Sequence, residues 1–109
     1  MKKSEQMRIN EKVRDMMYLF HKCMTNEGAG ATRRLRTCTA EVYKVGTFWA
    51  LRSYNTTIAI IDTETDTLYD FLRLVYGYTS TSAQHIAKFR HDYGQGKWGC
   101  ENVLTYRAV

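Results

Sequence analysis

Ala40-Glu41-Val42-Tyr43-Lys44-Val45, Gly46, Thr47-Phe48-Trp49-Ala50-Leu51-Arg52-Ser53-Tyr54, Asn55-Thr56 and Thr57-Ile58-Ala59-Ile60-Ile61-Asp62 decide the fold of this chain. The first run alternates, Gly46 suits a turn, and the second run is strand-like in composition. Asn55-Thr56 suits a tight turn, without the Asn-Gly that favours one most. The third run is rich in β-branched residues and reads as an interior strand. Three adjacent strands joined by short turns make an antiparallel meander.

Before this stretch the apolar period is helical. Ile9, Val13, Met16, Met17, Phe20, Cys23 and Met24 recur at steps of three and four, opposite Arg8, Glu11, Lys12, Asp15 and Lys22. Ser4 or Asn10 is a candidate cap for its start, and Gly28 or Gly30 for its end. Residues 1–27 therefore read as an amphipathic helix that covers the sheet, and 28–39 as a basic loop.

After the meander, Thr63–Asp66 is a polar connection and Thr67–Tyr78 carries two patterns. Leu68, Leu72, Leu74, Tyr76 and Tyr78 fit a strand, while Leu68, Phe71, Leu72 and Val75 fit a short helix. The flanking connections favour the strand. A second helix is expected near 81–93, with Thr81 and Gln84 as a capping box, Ile86, Phe89 and Tyr93 inward, and Gly94 just beyond its last turn. His85, Lys88 and His91 are expected to face outward. After a glycine-rich turn, Asn102–Arg107 reads as a final strand. The expected whole is one α+β domain over residues 1–109: a two-layer fold with an antiparallel sheet of four to five strands.

The 109 residues carry 16 Lys and Arg against 11 Asp and Glu, a net +5, and 44% are hydrophobic. Such a balance excludes a disordered chain and a carboxylate-coated DNA mimic, and it suits a phosphate-bearing partner. The charge is unevenly spread: residues 1–52 sum to +6 and residues 53–109 to −1. Arg33, Arg34 and Arg36 lie together with no acid nearby, whereas Asp62, Glu64, Asp66 and Asp70 have no base among them. The three cysteines, Cys23, Cys38 and Cys100, fit no paired framework or zinc spacing, so reduced thiols and a cytoplasmic setting are expected. No run is long enough to span a membrane or to act as a signal peptide. No catalytic constellation, cofactor motif or metal-ligand spacing is present, and an enzyme is not expected.

The segment Ser53-Tyr54-Asn55-Thr56-Thr57-Ile58-Ala59, with Tyr78, Thr81, His85 and Phe89 further on, resembles a family of short proteins from phages and other mobile elements of Gram-positive bacteria. Those proteins pair a Ser-Tyr-x-Thr-x-Ile-Ala strand with a later Tyr-to-His-to-Phe helix entry. The resemblance implies a compact fold and a mobile-element setting, and it carries no assigned activity. Phage proteins of this size include inhibitors of host defence, among them anti-CRISPR proteins that block Cas9. A basic chain of this kind is expected to engage such an effector, its guide RNA or its nucleic-acid channel. The alternative is a stand-alone nucleic-acid-binding protein or small phage regulator. The expected contact residues are Arg33, Arg34, Arg36, Arg52, Tyr54, Tyr78, His85 and Lys88, because arginine forks phosphates and aromatic rings stack bases.

Overall fold

The alternation over residues 40–62 becomes three neighbouring strands. The structure is a computed structural model that describes residues 2–27, 32–34, 40–54 and 56–109, with the backbone alone at 23–27 and 32–34. Its order is α1 (Lys3–Glu27), β1 (Thr32–Arg34), β2 (Ala40–Val45), β3 (Phe48–Ser53), β4 (Thr56–Asp62), β5 (Thr67–Asp70), α2 (Leu72–Val75), α3 (Ser80–Tyr93) and β6 (Asn102–Thr105). The six strands lie in chain order, antiparallel except for the parallel β5–β6 pair. The parallel pair follows from α3, which carries the chain back across the sheet before β6 begins.

The α+β class, the N-terminal helix and the helix near 81–93 hold. Three expectations change in detail. The segment expected as a basic loop contains β1, paired to β2 through Arg33↔Val42 and Arg34↔Glu41. The two patterns within Thr67–Tyr78 are both right in part, because β5 ends at Asp70 and α2 follows at once. The Asp70 carboxylate accepts the Leu72 amide at 3.1 Å, which turns the chain into that helix.

The expected two layers become three. Successive side chains on a strand point to opposite faces, and both faces here are apolar. Val42, Leu51, Ala59, Ile61 and Leu68 point to one face and meet Ile86 and Phe89 of α3. Tyr43, Val45, Ala50 and Ile60 point to the other and meet Val13 and Phe20 of α1. The methionine-rich stripe is thus cover for one face: Met16 and Met17 pack there beside Ile9, while Met7 is exposed. A register shift between Leu51 and Arg52 lets both Ile58 and Ala59 enter the α3-side core.

Polar clamps fix the helices on the sheet. Asn10, a candidate cap, sits inside α1. Its amide donates to the Arg107 carbonyl at 2.7 Å and accepts the Arg107 amide at 3.1 Å. Gln6 donates to the Thr105 carbonyl at 2.9 Å. For α3 the cap is Thr79 rather than Thr81: its hydroxyl accepts the Ser82 amide at 3.1 Å. Gly94 is the C-cap, as expected. It leaves the helix extended, with φ −76°, and glycine is required because a Cβ would meet the Cys100 amide.

Phe20 is fully buried with its ring edge against Phe48, 6.3 Å between centroids. Phe20→Ala is therefore expected to cost about 3–5 kcal/mol, read as a lowered urea midpoint. Met7→Ala, at an exposed position, should leave that midpoint nearly unchanged.

Candidate partner surface at one end of the sheet

The register decides which functional candidates meet. Ala40 pairs with Ser53 and Glu41 with Arg52, so the β1–β2 connection and the β3–β4 turn leave the sheet at the same end. β5 runs toward that end, where the Phe71 amide donates to the Ile58 carbonyl at 3.0 Å. The connection from α2 to α3 lies there too. Arg34, Arg52, Tyr54, Tyr78 and His85 thus converge, although 51 residues separate the first from the last. Arg33 precedes Arg34 in β1. Arg36 falls on the β1–β2 connection, outside the described residues, as does Cys38.

A buried hydroxyl holds this end together. Ser53, at the last position of β3, places its Oγ 3.2 Å from Ser82 Oγ and 3.1 Å from His85 Nδ1. All three residues are buried, with His85 only 4% exposed. His85 therefore does not face outward; it ties the first turns of α3 to the end of a strand. The polar atoms satisfy one another in an apolar surrounding, which makes the contact specific as well as favourable.

Tyr54 follows immediately and adopts φ +51°, a left-handed backbone that is uncommon for a bulky residue. This conformation holds its ring 6.5 Å from that of His85, and the residue remains 46% exposed. Tyr78 is 58% exposed, and the Arg73 guanidinium lies 4.7 Å from its ring centroid. Such stacking orients both groups without removing either from solvent. Tyr76 and Val75 are exposed beside them.

On the α1 face of the same end, Arg52 donates to Glu41 at 2.7 Å and lies over the Tyr43 ring at 5.7 Å. The Tyr43 hydroxyl is 2.6 Å from Thr57 Oγ1. Burial raises the pKa of Tyr43, against the opposing pull of Thr57 and Arg52. Burial likewise raises that of Asp70, against the Leu72 amide and the charges of Arg73 and Arg107.

Lys88 does not join this group. It stands further along α3 and pairs with Asp92 at 3.1 Å. Arg73 and Tyr76 were not among the expected contact residues. The short-helix pattern of Leu68, Phe71, Leu72 and Val75 was the signal that could have found them, because it puts the following residues on a surface connection.

Of the residues that carry the family resemblance, Ser53, Ile58, Ala59, His85 and Phe89 are buried. Their roles are architectural: clasp, bulge and core. Tyr54, Tyr78 and Thr81 face solvent. No family model, curated protein or solved structure matches the chain.

Cys100 is buried, and burial together with the Asp66 carboxylate pushes its thiol up to about 11, which keeps it protonated. No group of His, Cys, Asp and Glu among the described residues could hold a metal ion. No helix among them is long and apolar enough to cross a membrane.

The clasp and the exposed ring separate by mutation. His85→Ala takes one of its two partners from the buried Ser53 hydroxyl, which keeps Ser82, and opens a void, so a loss of about 1–3 kcal/mol is expected in urea unfolding. Tyr54→Gly relieves the left-handed backbone while loosening the unfolded chain, two effects of opposite sign. Its unfolding midpoint should stay close to that of the parent.

Proposed function

We propose that the chain is a binding protein of a mobile element that grips single-stranded nucleic acid within a host nucleoprotein, the guide RNA of a Cas9-type effector being the named case. The observation that carries this reading is the convergence of exposed Tyr54, Tyr76 and Tyr78 with Arg52 and Arg73 at one end of the sheet. Aromatic faces take up unstacked bases regardless of sequence, and guanidinium groups take up the flanking phosphates. The net charge of +5 adds long-range attraction for such a ligand.

A binding role is also supported by the state of the polar groups. Ser53 and His85 are close enough for a nucleophile–base pair, yet both are buried and pack strand to helix. A nucleophile needs access to a substrate, and this one has a structural occupation instead.

The test is fluorescence anisotropy with a labelled single-stranded RNA at two salt concentrations, alongside cleavage by guide-loaded Cas9. Loss of a stacked base is worth about 1–3 kcal/mol, so Tyr54→Gly with Tyr78→Ala should weaken RNA binding by roughly 10-fold or more. Arg73→Gln should reduce the salt slope by about one. Inhibition of Cas9 that weakens in parallel supports the host-effector reading. RNA binding without inhibition selects the stand-alone nucleic-acid-binding protein. Equal affinity of the parent and the double variant contradicts both.

A further inference from the structure

Two buried carboxamides on α1 are spent on the residues that end and follow β6. Gln6 and Asn10 are 7% and 5% exposed. Burying such groups costs free energy unless each finds partners, and here most of the partners are backbone. Gln6 Nε2 donates to Asn10 Oδ1 at 2.8 Å and to the Thr105 carbonyl at 2.9 Å. Asn10 bonds the Arg107 backbone at both its groups, donating to the carbonyl at 2.7 Å and accepting the amide at 3.1 Å. Between them, the Tyr106 amide donates to the Asp70 carbonyl at 2.9 Å. The chain is thus fixed as far as Arg107, two residues beyond the end of β6.

The fixed residue is itself exposed. Arg107 makes no ion pair among the described residues, and neither does Arg73. Both act on one carboxylate, that of Asp70, which the register sets opposite Thr105 and which accepts the Leu72 amide at 3.1 Å. The Arg73 guanidinium in turn stands 4.7 Å from the Tyr78 ring centroid. Tyr78, Arg73, Asp70 and Arg107 therefore form one line from the exposed rings to the end of β6. The stretch of α1 beside it carries Lys2, Lys3, Arg8, Lys12 and Arg14 against Glu5 and Glu11. Basic groups outnumber acids throughout, so an anion meets attraction here.

We infer that Arg107 is a phosphate contact of the proposed surface, so that a bound single strand crosses the end of the sheet from Tyr54, past Tyr78 and Arg73, to Arg107. This rests on the nucleic-acid reading above and gives its ligand a length. From β3 to β6 there are three inter-strand spacings, about 14 Å. At roughly 3.4 Å per stacked nucleotide, that distance takes about four. A shorter strand engages the rings and leaves Arg107 unused. A guanidinium suits the task because it forks two phosphate oxygens, and a backbone already held has less freedom to lose on binding.

The measurement is fluorescence anisotropy with labelled oligouridylates of about two and about eight nucleotides, lengths on either side of that span. Each is titrated with the parent, Arg107→Gln and Lys97→Gln at two salt concentrations. Lys97 lies beside the exposed Trp98 at the opposite end of the sheet, where Asp66 accepts the Gln95 and Glu101 amides, each at 2.9 Å. Its substitution removes the same charge at a distance from the proposed contact. Arg107 and Lys97 are both exposed, so both variants should fold, with thermal melting as the check.

Arg107→Gln should bind the longer strand several times more weakly than the parent at low salt, with a salt slope shallower by about 0.7. Lys97→Gln should match the parent, and all three should bind the shorter strand alike. Unchanged affinity of Arg107→Gln for the longer strand overturns the inference. If Tyr54→Gly with Tyr78→Ala still weakens binding in that case, the reading of the rings stands without it. A loss common to both strand lengths, or shared by Lys97→Gln, also overturns the inference, because the charge then acts without contact. A parent that binds neither strand removes the reading and the inference together.

Discussion

The buried contact of Ser53 with Ser82 and His85 is the constraint on which the geometry of the candidate surface depends. It joins the last residue of a central strand to the first turns of the helix that covers that strand. The position of α3 fixes where the α2–α3 connection runs, and therefore where Tyr76 and Tyr78 stand. The same contact sets the exit of the chain into the β3–β4 turn, where Tyr54 takes its left-handed backbone. An apolar substitute at Ser53 could fill the space, yet it would not select one rotation of α3 about its axis. Hydrogen bonds in a dry setting supply that selection, because each donor or acceptor left unmatched costs more than a matched pair gains.

Around this clasp the molecule is built with unlike ends. Strands that turn at alternate ends distribute the connections between them, and the sequence places different residues in each set. One set holds Arg52, Arg73 and the exposed Tyr54, Tyr76 and Tyr78; the other holds Asp62, Asp66, Glu101, Lys97, two glycines and Trp98. Glu41 and Asp70 are acids at the arginine end: Glu41 accepts from Arg52, and β5 carries Asp70 there, where its carboxylate starts α2. The sheet between the two ends is apolar on both faces and covered on both, leaving the ends and edges for contact. Charge arranged this way orients an approaching partner before contact and contributes little to the stability of the fold itself.

Much of the fold was legible because period and composition agreed. The alternation at 40–62 and the three-and-four spacing at 9–24 named their elements correctly. Thr67–Tyr78 was harder, because a four-residue strand followed by one turn of helix leaves each pattern too short to stand alone. The third layer was hidden by counting helices against one sheet without asking which strand face each would cover. His85 illustrates the limit for the site. A histidine on a polar-looking helix face reads as exposed until Ser53, distant in sequence, is seen to reach it. Tyr54, Tyr78 and Arg52 were legible as types that make contacts. Their meeting at one end follows from strand register, which no local pattern states. Arg73 was missed because its cation–π partner lies across a connection whose structure was open.

The most direct test of the account is a titration of ¹⁵N-labelled protein with a short single-stranded RNA, followed by amide chemical shifts. The account predicts that the largest changes fall on Arg52, Tyr54, Arg73, Tyr76 and Tyr78, with α1 and the Gly96–Gly99 turn unmoved. Changes concentrated on the Trp98 end or on the exposed face of α1, with the Tyr54 and Tyr78 amides stationary, would contradict it.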